Sequence, residues 1–283
     1  MTEFQVIGIV ARHDRKKALK YAERVVEYLE SKGVTLRVEE NLARLLGRER
    51  EGVPLEKMKT DLIVTIGGDG TILNTCLGIP KPEPPLLTIN MGVRGFLTEV
   101  KPSKGLEALE RCLKGDYRLE RSVKLASFIG KKRLPDALNE VYITSKTLAK
   151  LLYVRVWRDG IPIAKGRADG FVIASQTGST GYSLSAGGPI LDPLIDGFVL
   201  TPVCPLTIFH PIVFSSSSTV KLEILKPKEV SIVVDGHYQC TTSSEERFVK
   251  IVKSEHTTSF IRFNGGFYDR LRARLLFSRG GRI

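Results

Sequence analysis

"DLIVTIGGDGTILN", residues 61–74, joins a short apolar run to three glycines that enclose one carboxylate, Asp69. The run Leu62 to Ile66 is rich in β-branched residues, which is typical of a buried strand in a parallel sheet. The residues that follow the glycines can start a helix. Residues 67–70 are therefore predicted to form a strand-to-helix turn whose backbone N–H groups can face a phosphate.

Asp69 does not suit a simple phosphate-binding turn. A carboxylate about 4 Å from a phosphate charge costs roughly 4 kcal/mol per charge pair at an effective dielectric constant of about 20. A turn that only binds an anion should avoid this cost. The position of Asp69 therefore predicts that the carboxylate has a chemical role of its own.

The chain before residue 117 alternates between strand patterns and helix patterns. This order predicts an α/β domain with a parallel, Rossmann-like sheet that is covered by helices. In the first predicted helix, apolar residues repeat at intervals of three and four. The predicted strands lie in residues 4–11, 34–40, 61–66 and 84–92, and the clearest helices lie in residues 15–33 and 103–116.

The pattern changes at Tyr117, where short β-rich runs separated by turn residues begin. These runs predict an all-β, β-sandwich-like second domain over residues 117–264. The final segment "FYDRLRARLLF" (267–277) has a helical pattern again. We therefore expect a first domain of residues 1–116 that is rejoined by residues 265–283.

Composition narrows the class of protein. The chain has 283 residues, of which 42% are hydrophobic and 26% charged, which is ordinary for a globular protein of two domains. No apolar run approaches the roughly 18 residues of a membrane span, and the beginning of the sequence does not resemble a secretory signal. We therefore expect a cytoplasmic protein with no membrane partner.

Charge and cysteine content point to the kind of ligand. The formal net charge of +12 suits polyanionic partners. The basic residues are scattered and no nucleic-acid-binding motif is present, so a nucleotide substrate is the preferred explanation and no nucleic-acid partner is expected. The four cysteines show no Cys-x-x-Cys spacing. A structural zinc site or a disulfide framework is therefore not expected.

Two common nucleotide motifs are absent. The fingerprint G-x-G-x-x-G fails because Leu73 stands where the third glycine belongs, and no G-x-x-x-x-G-K-[ST] sequence occurs. Two other stretches can bind a ligand. "RADGFVIASQTGSTGYSLSAGGPILDP" (167–193) follows a strand with hydroxyls and small residues, although a plain Ser/Gly loop is an open alternative. In "ALNEVYIT" (137–144), the polar pair Asn139-Glu140 can bracket ribose hydroxyls or form a solvated strand edge.

Together, "GGDGT", "NE" and "DGF…TGSTGYSLSAGGPI" closely resemble the NAD kinase family. The resemblance extends over nearly the full chain and includes "NMGVRGFLTEV" (90–100) and "VVDGH" (233–237). It implies an enzyme that phosphorylates the adenosine ribose 2′-hydroxyl of NAD to give NADP. The implied cofactor is Mg²⁺ or another divalent cation, the donor is ATP, another triphosphate or polyphosphate, and the protein is a homo-oligomer, either a dimer or a tetramer.

The resemblance also implies roles for individual residues. Asp69 would accept the proton of the attacking hydroxyl, and the turn residues would contact phosphates together with the metal ion. Asn139 and Glu140 would hold the adenosine part of NAD. The implied ligand-binding residues are Gly67, Gly68, Gly70, Thr71, Phe96, Asn139, Glu140, Lys150, Arg167, Asp169, Thr180, Gly181, Tyr182, Ser185 and His237; no side chain is assigned as a resident metal ligand. Phe96 has a core position as its alternative role, and Tyr182 has pure packing.

The sequence departs from the family pattern at a few positions. Gln176 replaces the usual proline before Thr177, Gly181 the usual alanine, and His237 the usual glutamine; His210 stands where an arginine often precedes the proline. These changes affect the expected loop rigidity and the contacts with the donor or nicotinamide.

Two alternatives are an enzyme of another specificity and a protein of a different class. A lipid kinase of the diacylglycerol or sphingosine type also has a "GGDG" turn, but it would need an apolar substrate pocket, which the polar loop of residues 176–185 does not offer. A non-catalytic dinucleotide sensor would keep the glycines without needing Asp69. An NAD kinase is therefore the favoured prediction.

Overall fold

The computed structural model describes residues 3–92, 95–147, 149–242, 245–263 and 265–276. The chain divides into two compact units. The first comprises Met1–Arg121 and Thr258–Ile283, and the second comprises Ser122–Thr257. The last part of the chain thus returns to the unit formed by the first part. Phe277, the final residue of the predicted C-terminal helix, lies outside the described residues.

The described residues form six helices and seventeen strands. The helices are α1 (Lys16–Ser31), α2 (Glu40–Leu45), α3 (Asp69–Gly78), α4 (Pro102–Leu113), α5 (Tyr182–Ser185) and α6 (Phe267–Leu276). The strands are β1 (Val6–Ala11), β2 (Thr35–Glu39), β3 (Gly52–Val53), β4 (Leu62–Gly67), β5 (Leu86–Asn90), β6 (Arg118–Ile129), β7 (Lys132–Arg133), β8 (Glu140–Ser145), β9 (Leu152–Arg158), β10 (Ile161–Ala168), β11 (Gly170–Ala174), β12 (Gly197–Val203), β13 (Ile212–Ser215), β14 (Val220–Lys226), β15 (Val230–Val234), β16 (Tyr238–Thr241) and β17 (Phe248–Arg262).

The first unit contains the predicted parallel sheet. Strands β5, β4, β1, β2 and β3 are neighbours in that order, and each pair is parallel. The end of β17 adds a further parallel pairing beside β5, through Phe260 and Leu86. The α/β fold predicted for this part of the sequence is confirmed.

The core of the first unit follows from the helical periodicity. All residues on the apolar face of α1 are buried, and they pack against β-strand residues such as Ile7, Val64 and Ile89. Burying the side chains of Val25, Val26 and Leu29 contributes about 1.5–3 kcal/mol each to stability. The packed sheet and helices therefore give the β4–α3 turn a rigid base.

The second unit is built from antiparallel strands. One sheet has the order β13-β12-β11-β8-β15-β16, and β10, β9, β14 and β17 are neighbours in another. The all-β character predicted for this region is confirmed. The predicted Ser/Gly stretch also contains a short 3₁₀ turn at Gly178–Thr180 and the single-turn helix α5.

Within the described parts of the chain, none of the helices combines the length and apolar composition that crossing a bilayer demands.

Candidate functional site

The "GGDG" stretch forms the predicted strand-to-helix turn. Strand β4 ends at Gly67 and helix α3 begins at Asp69. The first N–H groups of a helix lack acceptors within the helix, so this turn can bind an anion. A side chain at Gly67 would place its Cβ 2.2 Å from the Thr71 hydroxyl oxygen, which explains why only glycine fits there. Gly68, Gly70 and Thr71 are all partly or fully exposed.

Two backbone groups hold the carboxylate of Asp69. Its Oδ2 accepts the N–H of Phe96 at 2.9 Å, and its Oδ1 accepts the N–H of Leu97 at 3.1 Å. Each carboxylate oxygen retains a second lone pair. Asp69 is only half-buried. The carboxylate is thus held in one orientation and can still accept a proton or a hydrogen bond from a bound hydroxyl.

Phe96 has a packing role in the first unit. Its side chain is 6% exposed, and its ring makes an edge-to-face contact with Phe267 at 5.5 Å between centroids. Phe96 therefore occupies the core position that the sequence analysis gave as its alternative role. A stacking contact between Phe96 and a ligand stays a prediction.

The residues of the β4–α3 turn suit a metal ion that is coordinated mainly by the substrate phosphates and by water. The described residues contain no group of three or more His, Cys, Asp or Glu side chains placed to hold a metal. Mg²⁺ commonly keeps several waters and binds through one or two carboxylates together with substrate phosphates. The open lone pairs of Asp69, beside a phosphate-binding turn, suit that kind of coordination.

In the second unit, the Asn139-Glu140 pair lies at the start of β8 and is held by Asp235. One carboxylate oxygen of Asp235 accepts the N–H of Leu138 at 2.7 Å, and the other accepts those of Asn139 at 2.8 Å and Glu140 at 2.9 Å. Asp235 is 2% exposed and has a left-handed backbone conformation with φ of 49°. The sequence assigned it no role. The sequence feature that could have pointed to Asp235 is the Asp-Gly pair directly after the buried strand β15.

Both predicted ribose-binding residues have an unpartnered polar atom. Asn139 Oδ1 and Glu140 Oε2 are buried and have no hydrogen-bond partner among the described residues. Such atoms are rare in folded proteins because an unmet hydrogen bond costs about 1–3 kcal/mol. The two atoms are therefore available to a ligand that brings its own hydrogen-bond donors.

The side chain of Glu140 titrates near neutral pH. Burial, which is the largest cause, and the charge of Asp235 raise the pKa of Glu140, the backbone N–H of Tyr182 lowers it, and the net result is a pKa of about 8. In the free protein at pH 7 the side chain is thus mostly a neutral carboxylic acid, which can both donate and accept a hydrogen bond.

The glycine-rich loop packs directly against this pair. The N–H of Ser175 donates to the carbonyl of Asn139 at 2.8 Å. A Cβ at Gly178 would lie 2.0 Å from that same carbonyl oxygen, so the close approach requires glycine. A Cβ at Gly181 would lie 3.2 Å from Glu140 Oε2. The structure therefore brings the Thr180–Tyr182 segment next to the unpartnered atoms.

Tyr182 offers the aromatic surface of this cluster. It is 39% exposed, and its ring contacts the ring of Tyr142 edge-to-face at 5.1 Å. Burial raises the pKa of Tyr182 to about 12, with smaller contributions from a hydrogen bond to Tyr142 and from the charge of Asp169. Ser185 ends the same short helix and is exposed.

The other predicted residues of the second unit are Arg167, His237 and Lys150, and each has different surroundings. The Arg167 guanidinium lies 4.8 Å from the ring centre of Tyr153. His237 is exposed and follows the turn at Asp235. Lys150 lines a cavity of about 670 Å³. The other residues that line this cavity include none of the predicted site residues; they are Ala149, Leu151, Ile224, Leu225, Lys226, Pro227, Lys228 and Arg247.

Gln176, one of the departures from the family pattern, anchors the loop. Its side-chain amide donates to the carbonyl of Pro193 at 3.2 Å and to the carbonyl of Ile195. These contacts restrain the loop in a way that a proline side chain, which has no donor, does not.

Comparison with known families covers most of the chain. Residues 7–117 match the family described as "ATP-NAD kinase N-terminal domain", and residues 138–263 match "ATP-NAD kinase C-terminal domain". An NAD kinase of Thermococcus kodakarensis is 41% identical over 273 residues, which is 95% of this chain and 98% of the relative. An NAD kinase of Methanothermobacter thermautotrophicus is also 41% identical over 273 residues, covering 95% and 96%.

Solved structures agree with these matches. An NAD kinase from Archaeoglobus fulgidus in complex with ATP superposes with a TM-score of 0.77 at 28% identity, covering 96% of this chain and 97% of that one. Yeast NADH kinase complexed with NADH gives a TM-score of 0.86 at 23% identity, with coverage of 99% and 89%, and supports the fold. The resemblance deduced from the sequence motifs is confirmed.

Proposed function

This chain belongs to the NAD kinase family and is a kinase, and we propose that it phosphorylates the adenosine ribose 2′-hydroxyl of NAD to make NADP. The carrying observation is the pair of unpartnered buried atoms, Asn139 Oδ1 and Glu140 Oε2. The hydroxyl and amino groups of an adenosine supply the donors that both atoms lack. A purely apolar ligand would leave both atoms unpaired.

Asp69 is the proposed general base. Its carboxylate is held by two backbone N–H groups and keeps free lone pairs on a half-exposed side chain. It would accept the proton of the 2′-hydroxyl while that oxygen attacks the terminal phosphorus of the donor. Such assistance is worth roughly 10²–10⁴ in rate. Holding both substrates in line supplies the rest of the acceleration.

The turn of residues 67–71 is the proposed site for the donor phosphates. Its helix N-terminus favours negative charge, and a bound Mg²⁺ would neutralise charge that develops on the phosphate oxygens. Since the Archaeoglobus relative was solved with ATP, a nucleoside triphosphate is the first donor to test. Inorganic polyphosphate is the second.

The remaining residues are proposed to bind the nucleotide. Thr180, Gly181 and Tyr182 belong to the loop that packs on Asn139 and Glu140. In this proposal the loop lines the pocket for a base and a ribose. Further nucleotide contacts are proposed for Asp169, Ser185, Arg167, His237, Lys150 and Phe96.

The proposed active form is a cytoplasmic homo-oligomer, a dimer or tetramer. This oligomeric state is the one that the family resemblance implies. Light scattering on the purified protein measures the oligomeric state; a monomer at working concentration would contradict this part of the proposal.

The test of the function incubates the protein with Mg²⁺ and donor in the presence of four acceptors. These are NAD, 2′-deoxy-NAD, diacylglycerol and fructose 6-phosphate, with products identified by mass and by an NADP-specific dehydrogenase. We expect product from NAD alone, because 2′-deoxy-NAD lacks the nucleophile. ATP and polyphosphate are compared as donors in parallel.

Product from diacylglycerol with none from NAD would favour the lipid kinase alternative. Tight binding of NAD with no turnover by any donor would favour a dinucleotide sensor.

A further inference from the structure

A buried arginine is connected to the carboxylate of Asp69 through the backbone of one intervening residue. Arg262, at the end of β17, is 2% exposed. Its guanidinium donates to the backbone carbonyl of Leu97 at 3.0 Å, to Glu99 at 3.1 Å and to Glu120 at 3.0 Å. All four residues belong to the first unit, so this contact set is formed within one compact body.

Leu97 links Arg262 to Asp69. The N–H of Leu97 donates to Asp69 Oδ1 at 3.1 Å, and the carbonyl of the same residue accepts the bond from Arg262. The hydroxyl of Thr88 donates to this carbonyl as well, at 3.2 Å. The residue that orients Asp69 is therefore held at its other end by two buried side chains.

The chemistry of the contact calls for arginine. One nitrogen of the guanidinium bonds the Leu97 carbonyl and Glu99, and another bonds Glu120. A planar guanidinium presents donors from several nitrogens in fixed directions, whereas a lysine ammonium presents its donors from a single nitrogen. The two carboxylates also offset the cost of burying the positive charge.

A second arginine provides an internal comparison. Arg270, on α6, donates to the same oxygen of Glu120 at 2.8 Å. It belongs to the same charge cluster but has no hydrogen bond to Leu97 among the described contacts. The contact with the Leu97 carbonyl therefore distinguishes Arg262 from its neighbour.

We propose that Arg262 is a positioning residue for phosphoryl transfer: by holding the Leu97 carbonyl it keeps the Leu97 N–H aimed at Asp69, and so keeps the carboxylate oriented toward the acceptor hydroxyl. The inference rests on the proposed role of Asp69 as the general base. It gives the returning C-terminal segment a part in catalysis although Arg262 touches no substrate.

The test uses two variants that weaken the same carbonyl contact from different sides. Arg262→Lys keeps the charge and loses the fork, and Thr88→Val removes the hydroxyl with little change in shape. We expect each variant to lower kcat roughly 10- to 100-fold, since small misplacements of a catalytic group cost about that much. KM for NAD and for the donor should stay within about twofold.

The control is Arg48→Lys, which makes the same substitution at an arginine of the first unit that also pairs with two carboxylates, those of Glu30 and Glu51. Its kcat should stay within about twofold of the wild type even if its melting temperature falls. The double variant Arg262→Lys/Thr88→Val should lose less activity than the product of the single losses, because both changes act on one carbonyl.

Unchanged kcat in folded Thr88→Val protein would overturn the inference, whether or not Arg262→Lys folds. An equal loss of kcat in Arg48→Lys would also overturn it, because a general effect of replacing an arginine paired with carboxylates would then explain the result. The general-base role of Asp69, on which the inference rests, fails separately: in that case Asp69→Asn would retain activity. An inactive Asp69→Asn protein with fully active Thr88→Val protein would reject the positioning role alone.

Discussion

The carboxylate of Asp235 accepts the backbone N–H of Glu140 at 2.9 Å, and the same oxygen accepts the N–H of Asn139 at 2.8 Å. These bonds fix the backbone of both residues while Asn139 Oδ1 and Glu140 Oε2 remain unpartnered. The carboxylate of Asp235 thus holds the backbone at the start of β8 in one conformation. A preorganised site of this kind binds its ligand without the cost of ordering the chain.

Asp235→Asn should weaken NAD binding and lower stability together. An amide has only one acceptor oxygen, so it cannot hold all three N–H groups that the carboxylate holds now. We expect NAD affinity to fall by about 1–3 kcal/mol, as for other buried donors left unpaired. Calorimetry and thermal unfolding measure the two effects. The exposed Asp196→Asn is the control, and unchanged NAD affinity in Asp235→Asn would contradict the prediction.

Asn139→Ala should separate binding from stability. Because Asn139 Oδ1 has no partner in the free protein, removing it costs no existing hydrogen bond at that atom. We expect NAD affinity to fall by about 1–3 kcal/mol, while the melting temperature stays equal or rises and donor affinity hardly changes. Glu140→Ala should show the same loss of NAD affinity. If only the affinity for the phosphoryl donor fell, the assignment of Asn139 and Glu140 to NAD would be wrong.

Asp69→Asn should leave NAD binding intact and reduce phosphoryl transfer by roughly 10²–10⁴. The amide cannot accept the proton of the hydroxyl, although its oxygen still accepts one backbone N–H. Steady-state kinetics measures the first effect and calorimetry the second. Activity within threefold of wild type, in folded protein, rejects the general-base role, and lost NAD binding would make Asp69 a binding residue instead.

Glu140 should make stability depend on pH between about 4.5 and 8. Because folding raises the pKa of Glu140 to about 8 from its ordinary value of 4.5, the folded state holds a proton in this range that the unfolded state releases. The stabilisation is complete below the unfolded pKa and is lost as pH rises through the folded pKa, with a slope of at most about 1.4 kcal/mol per pH unit. Denaturant unfolding of the wild type and Glu140→Gln from pH 5 to 9 measures the difference.

In that comparison, Glu140→Gln should show a flatter stability profile because it cannot titrate. Parallel curves for the two proteins would reject the raised pKa.

The sequence determined most of the first unit. The apolar periodicity of α1 and the β-branched run of β4 predict their elements because local patterns decide which face of a helix or strand is buried. The glycines and Asp69 mark the β4–α3 turn for the same reason: a chain that turns from strand to helix near a phosphate needs residues without large side chains.

Only the tertiary structure decided how the two functional turns are held. Asp235 lies about a hundred residues from Asn139 in sequence, and Arg262 lies still farther from Leu97, so no local pattern connects either pair. Their contacts are hydrogen bonds between one side chain and distant backbone groups, and a backbone group leaves no trace in residue type. The sequence thus predicted which side chains carry the chemistry, and folding decided that the buried side chains of Asp235 and Arg262 bond to the backbone beside them.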